Sequence, residues 1–247
     1  MPGYMGGKFR IRYQIAEYIN SLSPRVYMEP FCGFCWVGER VRCPVRHFSD
    51  INADVILMWQ ELQRGWKPPT QMTAEEFGAL KRQPGPSALR GFAGTCCAYG
   101  GELLRGGFAR DKQGVNYAAQ GARQLGRRIL GLRGATFACM DYRAALDSTD
   151  ADVVYLDPPY AGTRDYGQFD SVQFWTEVRR RSGGRRRILV SEYEAPEDFT
   201  VVLATRSRMG LRVGSRNALE HELREEKLFE FNPPDNNRVV FSSFDAG

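Results

Sequence analysis

Apolar and polar positions alternate along this chain with two different periods. Over residues 12–22 the apolar side chains Ile15, Ala16, Ile19 and Leu22 share one helical face, and Ser23-Pro24 ends the run. Residues 26–28 then read as a short strand ending at Glu29, and 36–41 as a helix. Residues 45–48 form a second strand ending at Ser49-Asp50, and 53–62 a strongly apolar helix. This alternation is the pattern of a parallel sheet covered by helices. It stops over 63–131, where Gly, Pro and Arg dominate. Pro68-Pro69 and Gln83-Pro84-Gly85-Pro86 break the chain there, glycines crowd 91–107, and 118–132 has the clearest helical pattern. It resumes with a strand at 135–139 ending at Met140-Asp141. The run Val153-Val154-Tyr155-Leu156 is almost wholly apolar, as expected of a buried central strand, and leads into Asp157. A helix at 174–181, a strand at 188–190 ending at Ser191, and strands at 201–204, 227–231 and 239–244 complete the pattern. One α/β sheet domain is therefore expected from 1–62 and 132–247, interrupted by a partly helical insert at 63–131.

Composition narrows this picture. A chain of 247 residues with 43% hydrophobic residues can bury a large core. No apolar run approaches the length of a bilayer span, and Met1-Pro2-Gly3-Tyr4 starts no signal-peptide pattern, so a cytoplasmic protein without membrane contact is expected. Cys32 and Cys35 have CxxC spacing. A second CxxC is missing, and neither His47 nor His221 completes a ligand-spaced pair, so buried reduced thiols are expected and no metal. Net charge is +5, unevenly spread: residues 63–131 carry 11 Lys/Arg against 4 Asp/Glu. The basic excess lies in the insert, which suits contact with a polyanion.

The chemistry gathers at the strand ends, where open α/β sheets bind ligands. Glu29, Asp50, Asp141 and Asp157 all fall there. Gly33 follows the first strand and permits close backbone approach, while Asp50 has the position of an acid that binds a ribose hydroxyl pair. Asp157-Pro158-Pro159-Tyr160 is more specific. An aromatic amine is a poor nucleophile because its lone pair is delocalised. A carboxylate (Asp157) and a backbone carbonyl (Pro158), each accepting one amine hydrogen, favour a tetrahedral nitrogen and free that lone pair. Two prolines stiffen the turn, and Tyr160 offers a face on which a base can stack.

These segments resemble a known family. Gly6-Gly7-Lys8, Glu29-Pro30-Phe31-Cys32-Gly33, Ser49-Asp50-Ile51-Asn52 and Asp157-Pro158-Pro159-Tyr160 are similar to the Dam-like, D12-class adenine-specific DNA methyltransferases. The Gly-Gly-Glu and Arg-Gly-Gly-Phe-Ala-Arg segments within 88–110 resemble the phage and prophage branch. The order of motifs, cofactor then insert then catalysis, is that of the alpha group. The resemblance implies a Rossmann-like class I methyltransferase sheet, S-adenosylmethionine as cofactor, and transfer of its methyl to N6 of a flipped-out adenine in double-stranded DNA by a monomer or weak dimer. It places Tyr4, Gly7 and Lys8 at the methionine end of the cofactor and Glu29, Phe31 and Gly33 in the turn beneath it. Asp50 would hold the ribose, Ile51 would pack on the cofactor adenine, Asp141 and Tyr142 would reach its other edge, and Asp157, Pro158, Pro159 and Tyr160 would hold the target base. Cys35 stands where the family usually has a second glycine, and the insert lacks the longer pattern of GATC-reading members.

On this reading the insert meets DNA, with Arg90, Arg105, Arg110, Lys112 and Arg123 as phosphate or groove contacts, and the glycine-rich stretch 100–107 tightening on the duplex. Arg206, Arg208, Arg212 and Arg216 are expected in a loop that also faces DNA. The run Arg179-Arg180-Arg181 with Arg185-Arg186-Arg187 fits a solvated face or a phosphate patch equally. Two competing functions are a methylase for another amine, such as cytosine N4 or an RNA base, and a DNA-binding module that no longer turns over.

Overall fold

The computed structural model describes residues 11–99, 103–110, 114–159, 169–208 and 223–232. Seven strands form one sheet: β1 Val26–Glu29, β2 Val45–Asp50, β3 Thr136–Cys139, β4 Val153–Leu156, β5 Arg187–Glu192, β6 Phe199–Arg208 and β7 Leu223–Phe231. Their spatial order is β3-β2-β1-β4-β5-β7-β6. The first five are parallel, and β7 runs antiparallel between β5 and β6. The chain moves outward from β1 through β2 to β3, then returns to β4 on the other side of β1. The β1/β4 gap is thus the switch point of the sheet.

Alternate side chains send the sheet into two cores. One face carries Tyr27, Phe48, Phe137, Tyr155 and Leu189, and is covered by α1 Arg12–Ser21, α2 Ala53–Gln63 and α5 Tyr117–Gly131. The other carries Met28, Val154, Leu156 and Val190, covered by α6 Tyr142–Asp147 and α7 Ser171–Arg181. All four residues of β4 are buried, as its apolar run requires. The helices begin where short polar side chains bond the first free N–H groups. Asn52 starts α2, Asn116 starts α5, Asp141 starts α6 and Asp170 starts α7.

The described residues of 63–131 are largely helical, with α3 Ala74–Arg82, α4 Ala88–Phe92, a single π-helical turn Ala93–Cys97, and α5. A reciprocal capping box between Thr73 and Glu76 starts α3. Phe77, Leu80, Phe92 and Leu125 lie in the same core as Trp59 and Phe48. Gly91 and Gly94 lie in helical turns, not a loop: a Cβ on Gly91 would sit 2.2 Å from the Asp54 carbonyl oxygen. Ala98 and Phe108 face each other in an antiparallel bridge, with the Tyr99 N–H donating to the Gly107 carbonyl (2.8 Å) and the Ala109 N–H to that of Cys97 (2.8 Å).

Several expectations need correction. Residues 36–41 form only a 3-10 turn, Gly38–Arg40. Asn20 draws this segment away from a helix, donating to the Arg40 carbonyl (3.2 Å) and accepting from the Arg42 N–H (2.7 Å). Ser191 lies inside β5, which continues to Glu192. Arg206 and Arg208 belong to β6 rather than to a loop, while Arg212, Arg216 and the expected strand at 239–244 lie outside the described residues. Much of the arginine run is neither a solvated face nor a free patch. Arg179 pairs with Asp198 (2.7 Å), Arg181 with Asp147 (2.7 Å) and Arg187 with Glu230 (2.7 Å). Arg186 donates to the carbonyls of Leu146 (2.8 Å), Ala151 (3.2 Å) and Thr149. Among the described residues no helix is long and apolar enough to cross a membrane.

Candidate active site

The ends of β1 and β4 flank the switch point, and the turn after β1 is bonded to the end of β2. The Cys32 N–H donates to the Ser49 carbonyl (3.0 Å), and the Gly33 N–H to the Asp50 carboxylate (2.9 Å). From the other side the Trp59 indole N–H reaches the Gly33 carbonyl (2.8 Å). Gly33 has φ +42°, as its type allows, whereas Cys35 adopts φ +51° with a side chain. Cysteine here takes the backbone conformation that glycine would supply, held by its N–H bond to the Cys32 carbonyl (2.6 Å). Cys32, Cys35, Cys96 and Cys97 are buried free thiols, whereas Cys43 is half-buried and Cys139 exposed. Burial pushes the Cys32 and Cys35 thiols up and those of Cys96 and Cys97 to about 12. Such thiols stay protonated and unreactive.

Glu29 ends β1 facing inward. The Tyr27 hydroxyl donates to its carboxyl at 2.8 Å. Burial, and after it the nearby Asp157 charge, push its pKa up to about 8, against the opposing hydrogen bonds from Tyr27 and the Gly38 N–H. Gly38 is required at this contact, since a Cβ there would meet the Glu29 carboxyl at 2.4 Å and Phe48 at 2.1 Å. Asp157 follows β4 directly and is half-buried, Pro158 is buried and Pro159 half-buried. Burial also raises the Asp50 carboxyl, which accepts N–H bonds from Gly33 and Asn52 (2.9 Å each).

Beside Asp50, Ile51 is 70% exposed and the Ser49 hydroxyl is buried with no hydrogen-bond partner among the described residues. An exposed aliphatic side chain, an inward-held carboxylate and an unmatched hydroxyl at one strand end fit a nucleoside, which offers a flat apolar face and hydroxyls. Phe31 stacks on Tyr142 (centroids 5.3 Å apart, 26° between planes) against Phe169 and Phe174. Asp141 caps α6 and grips Arg143 (2.7 Å), whose hydrogen bonds and charge hold it below its ordinary pKa although burial opposes them. Tyr4, Gly7, Lys8 and Tyr160 lie outside the described residues. Among the described residues no group of His, Cys, Asp and Glu gathers as metal ligands.

In the insert, Arg105, Arg110 and Arg123 are exposed, and Lys112 is outside the described residues. Arg90 turns inward, its guanidinium 3.1 Å from Asp54 and bonded to the carbonyls of Gln83 (3.0 Å) and Leu80. Arg127, not singled out by sequence, is exposed beside Arg123 on α5. Two supports of the β1 turn also escaped sequence reasoning, Trp59 and Arg128. Each left a signal: a tryptophan in an apolar helix needs a partner for its N–H, and Arg128 extends the buried stripe Ala118, Gly121, Leu125 of α5.

A parallel sheet in the order 3-2-1-4-5-7-6 with reversed β7, and acids at the ends of β1, β2 and β4, defines a Rossmann-like class I methyltransferase fold. The family model for D12 class N6 adenine-specific DNA methyltransferase matches residues 4–84 and 92–196, and the chain belongs to that family. No curated protein matches the sequence. Similar solved structures include a Pyrococcus horikoshii protein assigned as an RNA methyltransferase (11% identity, TM-score 0.40, 90% of this chain and 84% of that one). A second is the precorrin-6y C5,15-methyltransferase of Geobacter metallireducens (10%, 0.40, 90% and 88%). Similarities this distant add nothing to what the sheet order defines.

Proposed function

We propose that this protein methylates N6 of adenine in double-stranded DNA, using S-adenosylmethionine. The observation that carries this is the position of Asp157-Pro158-Pro159 at the mouth of the switch point, directly after the buried β4, with β1 between it and the Asp50–Ile51 end of β2, in a chain of the D12 class. Asp50 and Ile51 would hold the adenosine part of the cofactor, with Gly33 and Phe31 in the turn beneath it, Asp141 and Tyr142 at its other edge, and Tyr4, Gly7 and Lys8 toward the methionine end. When bound, the cofactor supplies a methyl group on a sulfonium, open to a nucleophile with a free lone pair.

The protein's own residues prepare that nucleophile. The Asp157 carboxylate and the Pro158 carbonyl accept the two amine hydrogens, which localises the nitrogen lone pair. As the nitrogen becomes cationic, Asp157 stabilises the charge and takes the surplus proton. Glu29, held neutral nearby, adds no second negative charge to compete for it. An amine inside a duplex is out of reach, so the target base is flipped out, with Tyr160 stacking on it. The insert at 63–131 meets the backbone through Arg105, Arg110, Lys112, Arg123 and Arg127, while Arg90 serves the fold.

The test is incubation of unmethylated DNA with labelled cofactor, followed by nucleoside analysis. N6-methyladenine is expected, and Asp157→Ala is expected to abolish transfer while still binding S-adenosylhomocysteine. Label in N4-methylcytosine, in RNA alone, or in no nucleic acid would refute the proposal.

A further inference from the structure

We propose that Arg128 is a positioning residue for the cofactor, a side chain of α5 that holds the turn at residues 32–37 in its working shape. The inference rests on the S-adenosylmethionine reading above. The turn is intrinsically unfavourable, because Cys35 sits at φ +51° with a Cβ. Such a conformation persists only where its surroundings over-determine it.

Arg128 supplies much of that determination. It is 6% exposed. One of its terminal nitrogens donates to the Phe34 carbonyl at 2.5 Å, on the peptide unit that enters Cys35. Its guanidinium carbon lies 3.7 Å from the centre of the Trp36 ring and 4.6 Å from that of Phe34. Its Nε lies 2.7 Å from the Glu39 carboxylate, a charge contact without hydrogen-bond alignment. A single planar cation therefore engages residues 34, 36 and 39, on both sides of Cys35. Arg12 of α1 also lies against Trp36, 5.2 Å from the ring centre. Gly33, one residue earlier, is held by Trp59 and Asp50. The turn is gripped from β2, α2 and α5 together, so the helix that carries exposed Arg123 and Arg127 also shapes the cofactor turn. Arg128 acts through the turn and not by contact with the cofactor.

Only arginine joins a donor aimed at the Phe34 carbonyl to a flat face that stacks on an indole; lysine keeps the charge and a donor but loses the planar face. If the shaped turn is less populated, apparent cofactor affinity falls by the same factor. Calorimetric titration with S-adenosylhomocysteine of wild type, Arg128→Lys, Arg128→Met and Arg187→Met provides the test. Arg187→Met breaks a comparable pair with Glu230 at the opposite end of the sheet. Both Arg128 variants should bind about tenfold more weakly or worse, and Arg187→Met within about twofold of wild type. In turnover, the Arg128 variants should raise the cofactor KM and largely keep kcat, and Cys32 and Cys35 should alkylate faster. If Arg128→Met does not fold, Arg128→Lys gives the reading. Wild-type affinity in Arg128→Lys, or equal losses in Arg187→Met, overturns the inference alone. A wild-type protein that binds no S-adenosylhomocysteine overturns the cofactor reading and this inference with it.

Discussion

Replacing Glu29 by glutamine separates the titration of a buried carboxyl from its shape. Glu29 is 3% exposed, accepts the Tyr27 hydroxyl at 2.8 Å, and has its pKa raised from 4.5 to about 8, chiefly by burial. Between those values the folded protein keeps a proton that the unfolded chain has released. The resulting stabilisation is fully present below pH 4.5, declines as pH rises, and is lost above about pH 8. Linkage then gives a loss of about 3 kcal/mol between roughly pH 5.5 and pH 8.5, with a mid-range slope near about 1.4 kcal/mol per pH unit. The Glu29→Gln variant keeps an acceptor for Tyr27 and has no proton to lose. Urea unfolding of both proteins across that range isolates this one group, because other titrations cancel in the difference. The stability of wild type relative to the variant should fall by about 3 kcal/mol as pH rises. Parallel pH profiles would refute a neutral Glu29, and with it the account of Asp157 as the dominant negative charge at this strand end.

Other outcomes follow from single contacts. Gly91→Ala would force a Cβ to 2.2 Å from the Asp54 carbonyl oxygen and 2.9 Å from the Met58 Cβ. It should cost about 1–3 kcal/mol in chemical denaturation, and an unchanged midpoint would contradict the α2–α4 contact. Trp59→Phe keeps a ring against Phe137 (5.7 Å, 13°) but strips the Gly33 carbonyl of its donor. A loss of about 1–2 kcal/mol and weaker S-adenosylhomocysteine binding are expected; wild-type affinity would show that this bond does not shape the turn. Arg123→Ala and Arg127→Ala should each lower the slope of log affinity for DNA against log salt by about 0.9 while leaving stability nearly unchanged. Arg90→Ala should do the reverse, destabilising the fold without changing the slope, and a slope change there would argue against its inward role.

The sheet was legible because buried parallel strands announce themselves as short apolar runs with polar ends. Val153 to Leu156 falls where its hydrophobicity placed it, and Glu29 and Asp50 lie at the ends of β1 and β2 as such runs imply. Residues 36–41 misled because helical spacing is a local signal, and distant Asn20 takes the backbone groups a helix would use. Helix α3 was legible in principle, since Thr73 and Glu76 spell a capping box that the surrounding prolines obscured. The arginines mark the real boundary of sequence reasoning. Arg90, Arg128 and Arg187 look like Arg105 and Arg123 in a one-dimensional chain, and only the placement of Asp54, Glu39 and Glu230 decides which guanidinium is committed to the fold.

The shared core beneath the insert has a consequence for how this enzyme can change. Phe77, Leu80, Phe92 and Leu125 interlock with Trp59 and Phe48, so the segment at 63–131 is not a cassette. A chimera that exchanges it for the equivalent stretch of a relative must import a matching hydrophobic relief or lose the wall behind α2. On the proposed DNA-binding reading, variation in what is recognised falls to exposed positions such as Arg105, Arg110, Arg123 and Arg127, where a new side chain disturbs no interior neighbour. Engineering of specificity should begin as point changes at those positions and not as segment exchange.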